Sequence, residues 1–90
     1  MEHMEQLMPG FGRPAAIRIA NHWPSVGRTL SELDVRGTTG ATALAIHREG
    51  ADVILPSGRE RLVAGDVIAF AGTKGAIDAA RDLLSGRAGA

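Results

Sequence analysis

The sequence predicts a single small α+β domain with the element order β-α-β-β-β-α, built from a mixed sheet and two helices. Three observations support this prediction. The run 67–71 is wholly apolar, which is typical of a strand in the middle of a sheet. The pair Gly65-Asp66 before it indicates a turn, because glycine adopts a positive φ and aspartate bonds nearby amides. An amphipathic helix pattern begins directly after the strand, at Thr73.

The ends of the chain differ from its middle. Residues 1–14 carry no hydrophobic period and contain several prolines and glycines, so we expect a flexible leader. The pair His3-Met4 within it resembles a cloning junction and suggests that part of the leader is vector-derived. The domain is predicted to span residues 15–85, and residues 86–90 to form a frayed tail.

One strand and one short helix are predicted in the first half. Residues 15–20 alternate between apolar and polar side chains, as a strand does. The segment Thr29-Leu30-Ser31-Glu32 has the form of a capping box, which marks the beginning of a helix. Gly37 is predicted to end that helix after about two turns, and residues 37–40 to form a polar loop.

The second half predicts three strands and one longer helix. Residues 42–48 and 52–55 form strands, the second closed by Pro56, which cannot donate to a ladder. Residues 67–71 form the central strand, which we expect to be covered on both faces. Residues 74–84 form the closing helix. Its spacing turns three residues toward the core: Ile77, Ala80 and Leu84.

Composition excludes several classes of function. Ten basic and ten acidic residues leave no net charge, so a nucleic-acid partner is not expected. Aromatic residues are only 3% of the chain, which leaves few platforms for stacking bases. The absence of cysteine rules out thiol chemistry. No apolar run approaches the roughly 20 residues that a membrane helix needs, so no direct insertion is expected.

Catalytic and metal sites are not predicted. His22 and His47 are the only histidines outside the leader, and neither has the closely spaced ligands that zinc requires. No nucleophile is paired with a base, so we expect no enzyme. Asp66 is predicted to bond backbone amides of its own turn rather than to act as a catalytic acid.

Several phrases of the chain, taken in order, resemble the TrkA-C domain. The segment Val26-Gly27-Arg28-Thr29-Leu30 is similar to the opening phrase of that family, and residues 44–50 to its second phrase. Pro56 stands where the family usually has a proline. Residues 62–72 resemble its most recognisable phrase, and residues 74–84 its closing helix. The TrkA-C domain is the C-terminal lobe of RCK proteins, the regulators of potassium conductance.

The resemblance implies a ligand-sensing regulatory domain that forms a homodimer. Its partner would be a potassium channel or transporter, or a cation/proton antiporter. The domain would then be cytoplasmic, and peripheral to the inner membrane through that partner or as part of a longer membrane protein. The Rossmann lobe that usually precedes it is not expected, because Gly10-Phe11-Gly12 lacks the flanking strand and helix. A ligand-free dimerisation or protein-docking module is the alternative.

Arg48 is the first predicted ligand residue, because its guanidinium offers a planar fork to phosphate or carboxylate. The alternative is an exposed arginine at a strand end, paired with Glu49 or Asp52. Ile46, Ile54 and Pro56 are predicted as apolar walls of the ligand cleft, with core or dimer-interface roles as the alternative.

The resemblance also suggests a nucleotide-type ligand, of which cyclic di-AMP is the example. Members that bind cyclic di-AMP have a polar residue in the strand after the arginine and a histidine before the acidic turn. Ile54 and Val63 stand at those positions here. The departure disfavours cyclic di-AMP and leaves Arg48 available to a different anion.

Overall fold

The computed structural model describes residues 13–87. Residues 1–12 and 88–90 lie outside this range, so most of the predicted leader and tail is not described. Four strands and three helices follow one another along the chain. In chain order they are β1 (Ala15–Arg18), α1 (Leu30–Leu33), α2 (Val35–Thr39), β2 (Thr42–His47), β3 (Val53–Ile54), β4 (Val67–Ala71) and α3 (Lys74–Ser85).

The predicted α+β class is confirmed, with one difference in the sheet. The strands lie in the order β1-β4-β2-β3, and every neighbouring pair is antiparallel. The sequence predicts a mixed sheet, in which at least one pair of neighbouring strands is parallel. The first two strands, β1 and β2, do run in the same direction, but β4 lies between them and pairs with both. No parallel pair therefore forms in this sheet.

The two faces of the sheet carry side chains of different size. One row of registered residues crosses all four strands on the inner face and packs against the helices: Ile17, Ile68, Ile46 and Val53. The neighbouring row faces outward: Ala16, Ala69, Ala45 and Ile54. The central position predicted for β4 is confirmed, but the elements within residues 13–87 cover only one of its faces. Ile68 and Phe70 are fully buried, whereas Val67, Ala69 and Ala71 are half-buried.

The first predicted helix is split into two short ones. Its start is as expected, since Thr29 and Glu32 form the reciprocal bonds of a capping box. Asp34 then takes a left-handed conformation with φ of 51° and ends α1. The prediction that Gly37 ends the helix is wrong: Gly37 lies inside α2, and Gly40, with φ of 83°, ends it. The predicted loop 37–40 is therefore helical up to Thr39.

Helix α3 closes the inner face of the sheet. Thr73 caps its first turn by accepting from the Ala76 amide, and Gly86 ends it in a left-handed conformation. Ile77, Ala80 and Leu84 are buried, as the spacing predicts. Buried Ser25 donates to the Leu84 carbonyl at 2.8 Å and anchors the helix end to the loop after β1. Within residues 13–87, no helix combines the length and apolarity needed to cross a bilayer.

Candidate functional site

The Arg48 side chain forms the centre of an ion-pair cluster at the end of β2. Its Nε donates to Asp66 Oδ1 at 2.9 Å, and its Nη2 donates to Asp66 Oδ2 at 2.8 Å. Such a two-pronged contact matches the planar guanidinium to the carboxylate. Nη1 donates to Glu60 Oε2 at 3.2 Å, and Nη2 also donates to the Arg61 carbonyl at 3.0 Å. The guanidinium therefore ties the end of β2 to the chain that leads into β4.

Asp66 is the buried member of this cluster, with 1% of its surface exposed. It also accepts from the Val63 amide at 2.8 Å, which confirms the predicted bond within the turn. Burial alone would raise the pKa of Asp66, but the bonds from Arg48 and Val63 outweigh it and hold this pKa below its ordinary value. The hydrogen bond to Asp66, together with the contact to Glu60, raises the pKa of Arg48. Both groups are therefore charged at neutral pH.

The turn that carries Asp66 is built from backbone bonds as well. Gly65 has φ of 91°, a conformation that glycine takes without steric cost. The Gly65 amide donates to the Ile19 carbonyl, and the Ile19 amide donates to the Asp66 carbonyl, both at 2.8 Å. The turn is thereby fixed to the end of β1, and the Asp66 side chain is aimed at Arg48 on the other neighbouring strand.

The partners of Arg48 differ from those that the sequence suggests. Its guanidinium pairs with Asp66 and Glu60, not with Glu49 or Asp52. Asp52 instead accepts from the Arg48 backbone amide at 3.1 Å and contacts His47 Nδ1 at 2.9 Å. The bond from that amide, followed by the contact with His47, lowers the pKa of Asp52. A carboxylate that is buried beside a strand needs a cationic partner. This requirement is the feature of the sequence that could have indicated Asp66 as the partner of Arg48.

The four predicted ligand residues are not brought together. Ile46 lies in the core with no exposed surface, on the inner face of the sheet. Ile54 lies on the outer face and is 72% exposed. Pro56 is half-buried in the wall of a cleft beside α1. Arg48 is occupied by its internal partners, with 22% of its side chain exposed. A ligand role for these residues stays a prediction.

That cleft has a volume of about 310 Å³ and lies between α1, α2, the beginning of β2 and the segment after β3. Backbone bonds hold the segment in place, because the Ser31 amide donates to the Gly58 carbonyl and the Leu30 amide to the Glu60 carbonyl. Sequence reasoning missed this cleft, since it placed the end of the helix at Gly37. Ten residues line the cleft: Leu30, Ser31, Asp34, Val35, Arg36, Ala41, Thr42, Ala43, Pro56 and Gly58.

Metal ligation has no geometric basis in the described part of the chain. No group of three or more histidine, aspartate or glutamate side chains there is arranged to hold an ion.

Comparison with known protein families assigns the fold. The TrkA-C domain model matches residues 15–85. The chain belongs to the TrkA-C domain family. No curated protein matches it. Among solved structures, it is similar to the RCK_C domain dimer of S. agalactiae BusR in complex with c-di-AMP. The identity is 25% and the TM-score 0.73, and the match covers 88% of this chain and 95% of that one.

Two further structures share the fold at lower identity. One is the RCK C domain of the potassium transport protein KtrA in complex with c-di-AMP. It has 18% identity and a TM-score of 0.73, and the match covers 90% of this chain and 92% of that one. The other is S. agalactiae BusR in complex with its busAB-promoter DNA. It has 23% identity and a TM-score of 0.73, and the match covers 97% of this chain but only 49% of that one.

The BusR complex corrects one prediction. The zero net charge was taken to exclude a nucleic-acid partner, and this exclusion is contradicted by BusR, which is in complex with its promoter DNA. The physical reason is that the net charge was counted over a single domain. Net charge describes only the surface of this chain, which spans 49% of that protein. The charge of one domain therefore does not decide the partners of a longer protein that contains it.

Proposed function

We propose that this chain is a dimerising, ligand-sensing regulatory domain of a cation transport system and acts on the cytoplasmic side of the membrane. Its membership of the TrkA-C family supports the regulatory role. The similarity to the RCK_C dimer of BusR with c-di-AMP supports both dimerisation and a nucleotide-type ligand. Matches of this kind are regulatory domains, which favours a binding function over catalysis.

The main structural support for the proposed dimer is the outer face of the sheet, which residues 13–87 leave uncovered. All three helices leave this face open, although its central row consists of apolar residues: Ala16, Ala69, Ala45 and Ile54. Small alanines allow a second surface to approach closely, and exposed Ile54 at the edge supplies a larger apolar group. In a two-fold pair, each Ile54 can pack over the alanine row of the other copy. This arrangement buries apolar surface that the monomer leaves in water.

The oligomeric state tests this interface directly. Sedimentation velocity across a range of protein concentrations should show a dimer for the unmodified domain. Ala69→Glu places a charge in the middle of the outer face, so the variant should be a monomer. Ala51→Glu is the matched control, because Ala51 is exposed in the turn after β2 and should leave the dimer intact. A strictly monomeric unmodified domain would contradict the dimer, and a dimeric Ala69→Glu variant would place its interface elsewhere.

For the ligand, Ile54 and Pro56 are the proposed contact residues, because part of each side chain is accessible. Arg48 would have to leave Asp66 to join them, and Ile46 supports the site from the core. Thermal-shift measurements with cyclic di-AMP, and with ATP and AMP as controls, test the nucleotide. A binder at a hundredfold excess over its Kd stabilises the folded state by about 2.7 kcal/mol.

The alternative is a structural dimerisation or docking module without a ligand. The apolar outer face favours dimerisation whether or not a ligand binds. A normal dimer with no response to any nucleotide would support this alternative. A nucleotide response that Ile54→Asp removes would support the sensor, provided that the variant keeps its fold by circular dichroism and its dimer by sedimentation velocity. A response that this variant leaves unchanged would contradict Ile54 as a contact residue.

A further inference from the structure

We propose that the cleft between α1, α2 and the segment after β3 binds a small zwitterionic molecule, with Asp34 and Arg36 as its two charged contacts. This site is separate from the Arg48 cluster, and it shares only Pro56 with the residues proposed to contact the nucleotide. A volume of about 310 Å³ suits a compact molecule, because sites for drug-sized ligands begin at roughly 300 Å³. Apolar Leu30, Val35 and Pro56 line the cleft together with both charges.

Asp34 carries a carboxylate that the fold itself does not use. As the residue that ends α1, it donates its backbone amide to the carbonyls of Leu30 and Ser31. Its side chain makes no capping bond to α2, and within residues 13–87 it has no hydrogen bond or ion pair. Glycine would take the same left-handed backbone, φ of 51°, without steric strain. The Asp34 side chain is exposed to solvent, and neither helix uses its carboxylate as a cap.

Gly37 lies next to the same carboxylate. Glycine is the least favourable residue inside a helix apart from proline, yet Gly37 lies within α2. A Cβ at this position would lie 2.7 Å from Asp34 Oδ2 and closer still to Oδ1. A larger residue would therefore require the exposed Asp34 carboxylate to move. With Gly37 in place, the carboxylate lies in the wall of the cleft without a partner among residues 13–87.

Arg36 supplies the opposite charge. It lines the same cleft, its side chain is exposed, and it forms no ion pair with Asp34 or with any other residue of the range 13–87. One carboxylate and one guanidinium give the site no net charge, which disfavours a polyanion such as a nucleotide. They suit a molecule with one ammonium and one carboxylate group. An apolar body between those groups would contact Leu30, Val35 and Pro56.

An amide-resolved NMR titration of the domain tests the site. L-leucine, L-valine and γ-aminobutyrate are the probes, and they differ in the separation of their charges. At least one should shift the amide signals of Ser31, Arg36 and Gly58 in a saturable manner. N-acetyl-L-leucine lacks the ammonium charge and L-leucinamide lacks the carboxylate. Each should bind at least about tenfold more weakly than L-leucine if both charges are recognised.

Variants assign the two charges. Asp34→Asn and Arg36→Gln should each weaken the best probe by about tenfold or more. Glu49→Gln and Arg59→Gln are matched controls at exposed positions outside the cleft and should bind as the unmodified domain does. Gly37→Ala should weaken binding as well, because the new methyl group displaces the Asp34 carboxylate.

Three outcomes would overturn the proposal. The first is the absence of a saturable shift with all three probes. The second is equal binding of L-leucine and its N-acetyl derivative, which would indicate recognition of the carboxylate alone. The third is a set of shifts centred on Ile54 or Val63, which would place binding on another surface.

Discussion

Replacing Arg48 with methionine should destabilise the domain strongly, because it leaves the buried Asp66 carboxylate without its cationic partner. The change removes two bonds to Asp66 and one each to Glu60 and the Arg61 carbonyl. Asp66, which is 1% exposed, keeps only the Val63 amide. Breaking a buried ion pair costs about 3–5 kcal/mol. Since 22% of the Arg48 side chain reaches solvent, we expect a loss near the lower limit.

The consequence for folding follows from the size of the domain. At about 0.05–0.15 kcal/mol per residue, some 75 ordered residues give a free energy of unfolding of roughly 4–11 kcal/mol. The Arg48→Met variant should therefore fold with a small margin. Urea unfolding, followed by circular dichroism at a fixed protein concentration, measures the difference, because a dimer makes stability concentration-dependent. Arg59→Met, an exposed control, should change stability by no more than about 0.5 kcal/mol.

The pH dependence separates the ion pair from a simple loss of packing. In the unmodified domain the pKa of Asp66 is lowered, so its stabilisation is present above about pH 3.9 and is lost as the pH falls through the folded pKa. Without Arg48, burial should raise this pKa, so the variant should lose stability as the pH rises. The difference between the two stabilities should therefore shrink as the pH falls through the folded pKa of Asp66. A loss below 1 kcal/mol at pH 7, or one that does not change with pH, would refute the ion-pair argument.

Three other substitutions test the fold. Asp66→Asn should make the free energy of unfolding less dependent on pH at acidic pH. In a double-mutant cycle with Arg48→Met, it should show a coupling energy of about 2 kcal/mol. Additive effects would mean that the two side chains do not interact. Thr29→Ala removes the hydroxyl that accepts from the Glu32 amide and should cost about 1 kcal/mol in urea unfolding. Thr38→Ala is the matched control, because Thr38 is exposed and its hydroxyl makes no hydrogen bond within residues 13–87. Phe70→Ala empties a fully buried position and should cost about 3–5 kcal/mol, and a loss below 1 kcal/mol would contradict its place in the core.

Local chemistry predicted the elements more reliably than their partners. The capping box at Thr29, the left-handed Gly65 and the buried face of α3 each depend on residues within one or two turns, and all three are confirmed. The split at Asp34 was missed because an aspartate in a left-handed conformation has no distinct sequence pattern. A glycine can end a helix or make room for a neighbour, and only the packing decides between them, as at Gly37.

Long-range pairing explains the remaining differences. Arg48 and Asp66 are 18 positions apart in sequence, and they meet because His47 is registered with Val67 in the antiparallel pair β2–β4. That register cannot be read from the composition of either strand. The apolar run of β4 led to the expectation of two covered faces, whereas the described residues of the monomer cover one. The uncovered face carries alanines rather than larger residues, and this difference in size becomes visible only when the strands are aligned.

The internal role of Arg48 constrains how a ligand could use it. An anion that recruits this guanidinium must first separate it from Asp66, which costs about 3 kcal/mol and weakens the apparent affinity by roughly a hundredfold. Separation would also break the two hydrogen bonds that join the Gly65-Asp66 turn to the end of β2. Binding through Arg48 would thus be coupled to a change at the central strand. A ligand that contacts only Ile54 and the outer face would avoid this cost. The turn that identifies the family is therefore also the element that decides whether Arg48 is accessible.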